Sequence, residues 1–268
     1  MTIKVVTFDL DDTLWPLRET ILAAHKSAND FLASQVPSVK EILSTNKERE
    51  VWGQLIEKDP TMRHRLSELR FNVFKNILQS LGQTEQQAEK LSSEALQIFM
   101  NGRHQLTLFD GVEEVLAQLK EKYTLGVLTN GNADIKRLGI DHYFNFSFSA
   151  EELNDSKPSA THFKKAMEHT SEKAASICHI GDHTECDVEG ALNAGCKAIW
   201  YNELNNDWPH SKGCPVQEIK SWYDMEEAIS KCLSKESSIY WTTALNSSSV
   251  QSAHNPIAGI AFKPYLTL

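Results

Sequence analysis

At 268 residues, 41% hydrophobic and 24% charged, the chain is long enough for one or two packed domains and too apolar for wholesale disorder. Its 27 basic and 36 acidic residues leave a net charge of -9, which repels nucleic acid at long range and removes it as an expected partner. No run approaches the ~18 consecutive apolar residues of a membrane span, Asp9 cuts short the only N-terminal apolar stretch, and five cysteines without a CxxC pair suit reduced thiols in the cytoplasm.

Ile3 to Phe8 is short, apolar and rich in β-branched residues, and ends in Asp9-Leu10-Asp11-Asp12-Thr13. It reads as a buried strand opening into an acidic turn. From Leu17 to Gly102 helical periodicity replaces the strand signal and predicts four helices. The first covers about residues 19–32. The second covers about 46–58, with Thr45 and Glu48 at capping-box spacing and Pro60 just beyond. The third covers about 62–81, with Leu66, Leu69, Val73, Ile77 and Leu81 on one face and Gly82 as its stop. The fourth has Thr84 as N-cap, Gln87 three residues on, and an end at Asn101 before Gly102.

After Phe109 strand and helix signals alternate. Asp110 is placed to cap a helix carrying Val112, Val115, Leu116 and Leu119, and residues 123–129 form a strand ending in Asn130-Gly131. A short helix at 133–138 and an apolar run at 144–148 follow. Next come a helix at 161–169, a strand at 177–180 ending in Gly181-Asp182, a helix at 188–193 ending at Gly195, and a strand at 197–201. This rhythm predicts an α/β fold: a Rossmann-like parallel sheet with helices on both faces. The helical block needs its own core and is expected as an inserted all-helical cap subdomain. The expected division is a core of 1–16 and 106–234, a cap of 17–105, and a poorly ordered tail of 235–268.

Alternation along a strand sends Asp9 and Asp11 to the same side. Two carboxylates that close need a counter-charge, and Mg2+ is the hard cation that suits oxygen ligands beside a phosphate. A helix N-cap at Asp11, Asp12 or Thr13 explains the same residues. An EF-hand does not, because its ligand pattern is incomplete and a strand precedes it. Ligands of open α/β sheets bind outside the carboxyl ends of the strands. To those ends the sequence brings Asp9 and Asp11, Thr129-Asn130-Gly131, and Gly181-Asp182 with Asp187 five residues on, and Lys157-Pro158 lies in a loop expected at the same edge.

This ordered set resembles the haloacid dehalogenase-like superfamily over about residues 3–233. Asp9 to Thr13 is similar to that family's DxDxT motif, Thr129 to its second motif, Lys157 to its third, and Gly181-Asp182 with Asp187 to its acidic fourth. The helical insertion resembles its C1-type cap. The resemblance implies a Mg2+-dependent phosphatase acting on a small phosphorylated metabolite. Asp9 is then the nucleophile and Asp11 the general acid and base. Asp9, Asp11 through its main-chain carbonyl, and Asp182 hold the metal. Thr129, Asn130 and Lys157 bind the substrate phosphate, with Thr13 and Asp187 in support.

A haloacid dehalogenase needs no acid two residues after its nucleophile, since halide leaves without a proton, so Asp11 favours phosphoryl transfer. A transport ATPase needs membrane spans. A receiver domain, the non-enzymatic alternative, is about half this length and lacks the helical insertion. The cap loosely resembles that of bacterial phosphatases for FMN and 5-amino-6-(5-phospho-D-ribitylamino)uracil. Another sugar phosphate, phosphoglycolate and nucleotide monophosphates are the alternatives. Trp15 reads as a core residue or as a surface for a substrate ring. Arg63, Arg65 and Arg70 read as a solvated helix face or as contacts to a substrate. His179 and His183 read as local packing or hydrogen bonding.

Overall fold

The computed structural model describes residues 2–43, 47–209 and 213–232. Both Thr45 and the 235–268 tail lie outside them. The chain divides into two units. A sheet unit comprises residues 2–15, 107–131 and 139 onward, and a helical unit comprises 16–106 with 132–138.

The sheet unit contains β1 (Val5–Phe8), β2 (Thr124–Thr129), β3 (Phe146–Ser149), β4 (Ile177–Gly181), β5 (Lys197–Tyr201) and β6 (Gln217–Ile219). All pair parallel, in the order β3-β2-β1-β4-β5-β6. Central strands of such a sheet are covered on both faces, which is why β1 and β4 read as continuous apolar runs and are buried along their whole length. Each Val, Ile or Phe taken fully out of water there contributes about 1.5–3 kcal/mol. Phe146 and Phe148 of β3 pack with Phe163, Ile177 and Trp200 into one cluster.

In the helical unit α1 (Arg18–Gln35), α2 (Val39–Leu43), α4 (Leu66–Ser80) and α5 (Glu85–Arg103) enclose a core led by Leu32, Phe74, Leu78, Leu91 and Phe99, while Trp52 and Ile56 of α3 (Lys47–Lys58) pack with Leu69, Val73 and Ile77 of α4 in a second cluster. The expected third helix is two elements. Asp59 caps a 3₁₀ turn, Pro60–His64, by accepting from the Thr61 amide, and α4 begins only after Arg65. Thr84 caps α5 as its spacing predicts, accepting from the Gln87 amide at 3.3 Å. The expected stop at Gly102 is corrected, for α5 continues to Arg103. Gly102 answers a packing demand, since a Cβ there would lie 2.9 Å from Ala24 Cβ.

The sheet unit's helices are α6 (Val112–Lys120), α7 (Ala150–Leu153), α8 (Thr161–Thr170), α9 (Gly190–Asn193) and α10 (Met225–Lys231). Asp110 does not cap α6. Gly111 holds that position, and Asp110 instead accepts from the Tyr223 hydroxyl. The helix expected at 188–193 starts earlier, as a π-helical turn Thr184–Glu189 running into α9. No helix forms at 133–138. The Asp134 carboxylate takes the Lys136 amide, and the chain makes a turn.

Candidate active site

The sheet's carboxyl edge is where the chemistry-bearing side chains meet. The ladder between β1 and β4 runs one residue past Phe8, with the Asp9 amide donating to Ile180 O at 2.9 Å. Asp12 then adopts a left-handed conformation, φ 61, and the chain turns back so that its amide reaches Trp15 O at 2.8 Å. Trp15 is fully buried, and its indole donates to Asp11 Oδ1 at 2.9 Å. It is therefore core, and it fixes the Asp11 carboxyl.

Lys157 is the electrostatic centre. The lysine is 2% exposed, and its Nζ donates to Asp9 Oδ1 at 2.9 Å, Asp187 Oδ1 at 2.6 Å and Leu128 O. Burial alone would lower its proton affinity, but the Asp187 and Asp9 carboxylates outweigh that and hold it above the ordinary lysine value. Burial likewise pushes the Asp187 carboxyl up, while the Lys157 ammonium and the His179 hydrogen bond hold it well below the usual carboxylate range. Burial and the Lys157 charge press His179 down to about 4. A neutral ring donating from Nε2 to Asp187 Oδ1 at 3.2 Å and accepting the Thr7 hydroxyl at Nδ1, 2.9 Å away, satisfies both partners.

Oxygens of Asp9, Asp182 and Asp187 lie within 4.8 Å of one another. Three carboxylates face one ammonium, so the cluster is short of positive charge, and its donors are all hard oxygens. A divalent cation such as Mg2+ fits that set. Both Asp187 oxygens are engaged, Oδ1 by Lys157 and Oδ2 by the His183 amide at 2.9 Å, so Asp187 is built to orient its neighbours. The Asp11 side chain falls outside this triad.

Thr13 ties the acidic turn to the fourth motif. Its hydroxyl accepts from the Asp182 amide at 3.1 Å and donates to Asp182 Oδ1 at 3.3 Å. Thr129 is buried and accepts from the Gly131 amide at 3.0 Å. Asn130, expected to bind the substrate phosphate, has its side-chain amide engaged by a neighbouring loop. Its amide clamps the Lys157 backbone, donating to Lys157 O at 2.9 Å and accepting from Lys157 N at 2.8 Å. Arg63 and Arg65 are engaged locally, Arg63 with Pro60 O and Arg65 with Asp59 and Glu68.

Sequence reasoning missed Thr7 as a site residue and gave His179 no part in the charge network. The signal was present, because each is a polar residue inside an apolar strand, two positions before Asp9 and three before Asp182 respectively, and the two are register partners. It placed Gly181 in the fourth motif without the reason for a glycine there. A Cβ there would lie 2.3 Å from Asp187 Cγ, so only glycine leaves that carboxylate its place.

His162 was also unforeseen. It is fully buried, its Nε2 donates to Thr129 O at 3.3 Å, and burial with the nearby Lys157 charge lowers it to about 3. The unfolded chain takes up a proton near pH 6.5 that the folded chain refuses until about pH 3. Stability is therefore complete above 6.5 and falls as pH drops toward 3, by up to roughly 5 kcal/mol from this group. His162→Phe is expected to flatten the acid side of a Tm-against-pH curve; an unchanged slope contradicts it.

Against known proteins, the model of the haloacid dehalogenase-like hydrolase family matches residues 3–195. The chain belongs to that family. This hydrolase is 29% identical over 205 residues to 5-amino-6-(5-phospho-D-ribitylamino)uracil phosphatase YigB of Escherichia coli, covering 76% of this chain and 86% of that one. It is 27% identical over 241 residues to glyceraldehyde 3-phosphate phosphatase of Methanothermobacter thermautotrophicus, covering 85% and 100%. Among solved structures, a 2-haloacid dehalogenase from Pseudomonas syringae pv. Tomato superposes with TM-score 0.81 at 37% identity, covering 86% of this chain and 99% of that one. Among the described residues no helix is long and apolar enough to cross a membrane.

Proposed function

We propose that this hydrolase cleaves the phosphomonoester of a small phosphorylated metabolite through an aspartyl-phosphate on Asp9, with Mg2+ as its metal. It is a phosphoric monoester hydrolase. The observation that carries this reading is the cluster of buried Asp9, Lys157 and Asp187 with half-buried Asp182, and Asp11 two residues from the nucleophile. Asp9 attacks phosphorus in line, and Asp11 gives its proton to the departing alcohol oxygen. Asp11 then takes a proton from water as that water attacks the acyl phosphate, returning Asp9 and releasing phosphate. Lys157 and the Thr129 hydroxyl meet the phosphoryl oxygens, where charge collects in the transition state. Asp9, Asp182 and the Asp11 carbonyl would hold Mg2+, which would supply positive charge between an anionic nucleophile and an anionic substrate. All five cysteines are free, in keeping with work in the cytoplasm.

Asp11→Asn tests the division of labour. It should bind Mg2+ as before and hydrolyse p-nitrophenyl phosphate roughly 10²–10⁴-fold more slowly, the usual share of acid–base catalysis. Weakened Mg2+ binding with a normal rate at saturating metal would refute the role.

Likeness to YigB supports 5-amino-6-(5-phospho-D-ribitylamino)uracil as the substrate, with FMN as the companion candidate. Glyceraldehyde 3-phosphate is an alternative by likeness to the second relative. A panel of phosphomonoesters ranked by kcat/KM decides among them. The Pseudomonas syringae structure favours a second reading, 2-haloacid dehalogenation. Asp11 argues against it, since a departing halide needs no proton. Halide release from 2-chloropropionate without phosphate release from any ester would reverse the order.

A further inference from the structure

The helical unit buries two guanidiniums. Ser67 and Arg70 stand about one turn apart on α4, and Phe99 and Arg103 one turn apart on α5. The Arg70 guanidinium lies 3.8 Å from the Phe99 ring centroid and 5.4 Å from that of Trp52. Asn132 joins the two helices, accepting from Arg103 Nε at 2.9 Å and donating to Ser67 Oγ at 3.2 Å. A hydroxyl, an amide and two guanidiniums thus gather at one helix junction. Asn132 also follows Thr129-Asn130-Gly131 directly in the chain.

Arg70 is 4% exposed and makes no hydrogen bond among the described residues, and its Nη1 is wholly buried with no acceptor. Aromatic faces attract the charge but accept none of the five N–H donors. Burial lowers Arg70 to about 10; Glu48 opposes that fall and Arg103 adds to it. Glu48 is itself engaged by His25 at 2.8 Å. A buried donor left without an acceptor costs about 1–3 kcal/mol. Such a donor is retained at that cost where a ligand completes it, and a guanidinium fork matches an oxyanion.

We propose that Ser67, Arg70, Arg103 and Asn132 form an oxyanion site in the helical unit for a carboxylate or phosphate group. The anion is a free carboxylate or phosphate held within the helical unit, and the site stands independently of the phosphatase reading.

Inorganic sulfate is the probe, exchanged for chloride at constant ionic strength, with the full-length protein in Mg2+-free buffer. Without the metal, the sheet unit's carboxylates repel anions. Sulfate should raise Tm saturably. Arg70→Met should abolish the rise, and the milder Ser67→Ala and Arg70→Lys, which keep the fold should Arg70→Met lose it, should weaken sulfate several-fold. No rise in the parent protein, or the same rise in every folded variant, overturns the site. Sulfate binding that depends on Arg70 in a protein that hydrolyses no phosphomonoester keeps the site and ends the phosphatase reading.

Discussion

Asp9→Asn should fold normally and turn over almost nothing. An amide lacks the negative charge of a carboxylate and is far too weak a nucleophile to attack phosphorus, and losing a covalent nucleophile costs on the order of 10⁴–10⁶-fold in kcat. The fold should survive, because Lys157 keeps its shorter contact to Asp187 at 2.6 Å and gives up only the one to Asp9 at 2.9 Å. Hydrolysis of p-nitrophenyl phosphate with Mg2+ measures the loss. Acid quenching of the parent protein during turnover should leave one phosphoryl group on the peptide containing Asp9, and none in the variant. A variant as active as its parent would end the mechanism.

Lys157→Met is expected to damage stability as much as rate. Its removal strands Asp187 and Asp9 without their ammonium, in places where they are almost entirely withdrawn from water. Breaking a buried pair from one side costs about 3–5 kcal/mol. For a protein of this size that is a fall of about 10 °C in Tm. Mg2+ should recover part of it, because the cation then carries the neutralisation that the lysine supplied. A fall of a degree or less would show that the two carboxylates do not depend on Lys157.

The parts of the fold that were legible are those where one pattern repeats long enough to be distinctive. α1, α4 and α5 each repeat an apolar stripe over several turns, and β1 and β4 are apolar runs closed by an acid. β6 has only three residues, Gln217–Ile219, and owes its form to pairing with β5 rather than to any alternation of its own. The break at Arg65 was hidden because Leu66 and Leu69 continue the apolar stripe across it, while an Asp59 cap sets the actual start of the turn. The candidate site is legible in the same uneven way. Acids at strand ends announce themselves, since a carboxylate has no ordinary reason to follow a buried run. His179, His162 and Asn130 act through partners distant in sequence, and one-dimensional spacing carries no trace of the Thr7 hydroxyl, the Thr129 carbonyl or the Lys157 backbone.

Gly181 leaves its space to a side chain six residues away. The volume that any other amino acid would claim at this position is already taken by the Asp187 carboxylate. Positions 181 and 187 are thus one heritable choice: a lineage that acquires a methyl at the first must surrender or relocate the acid at the second, and with it the second anchor of Lys157.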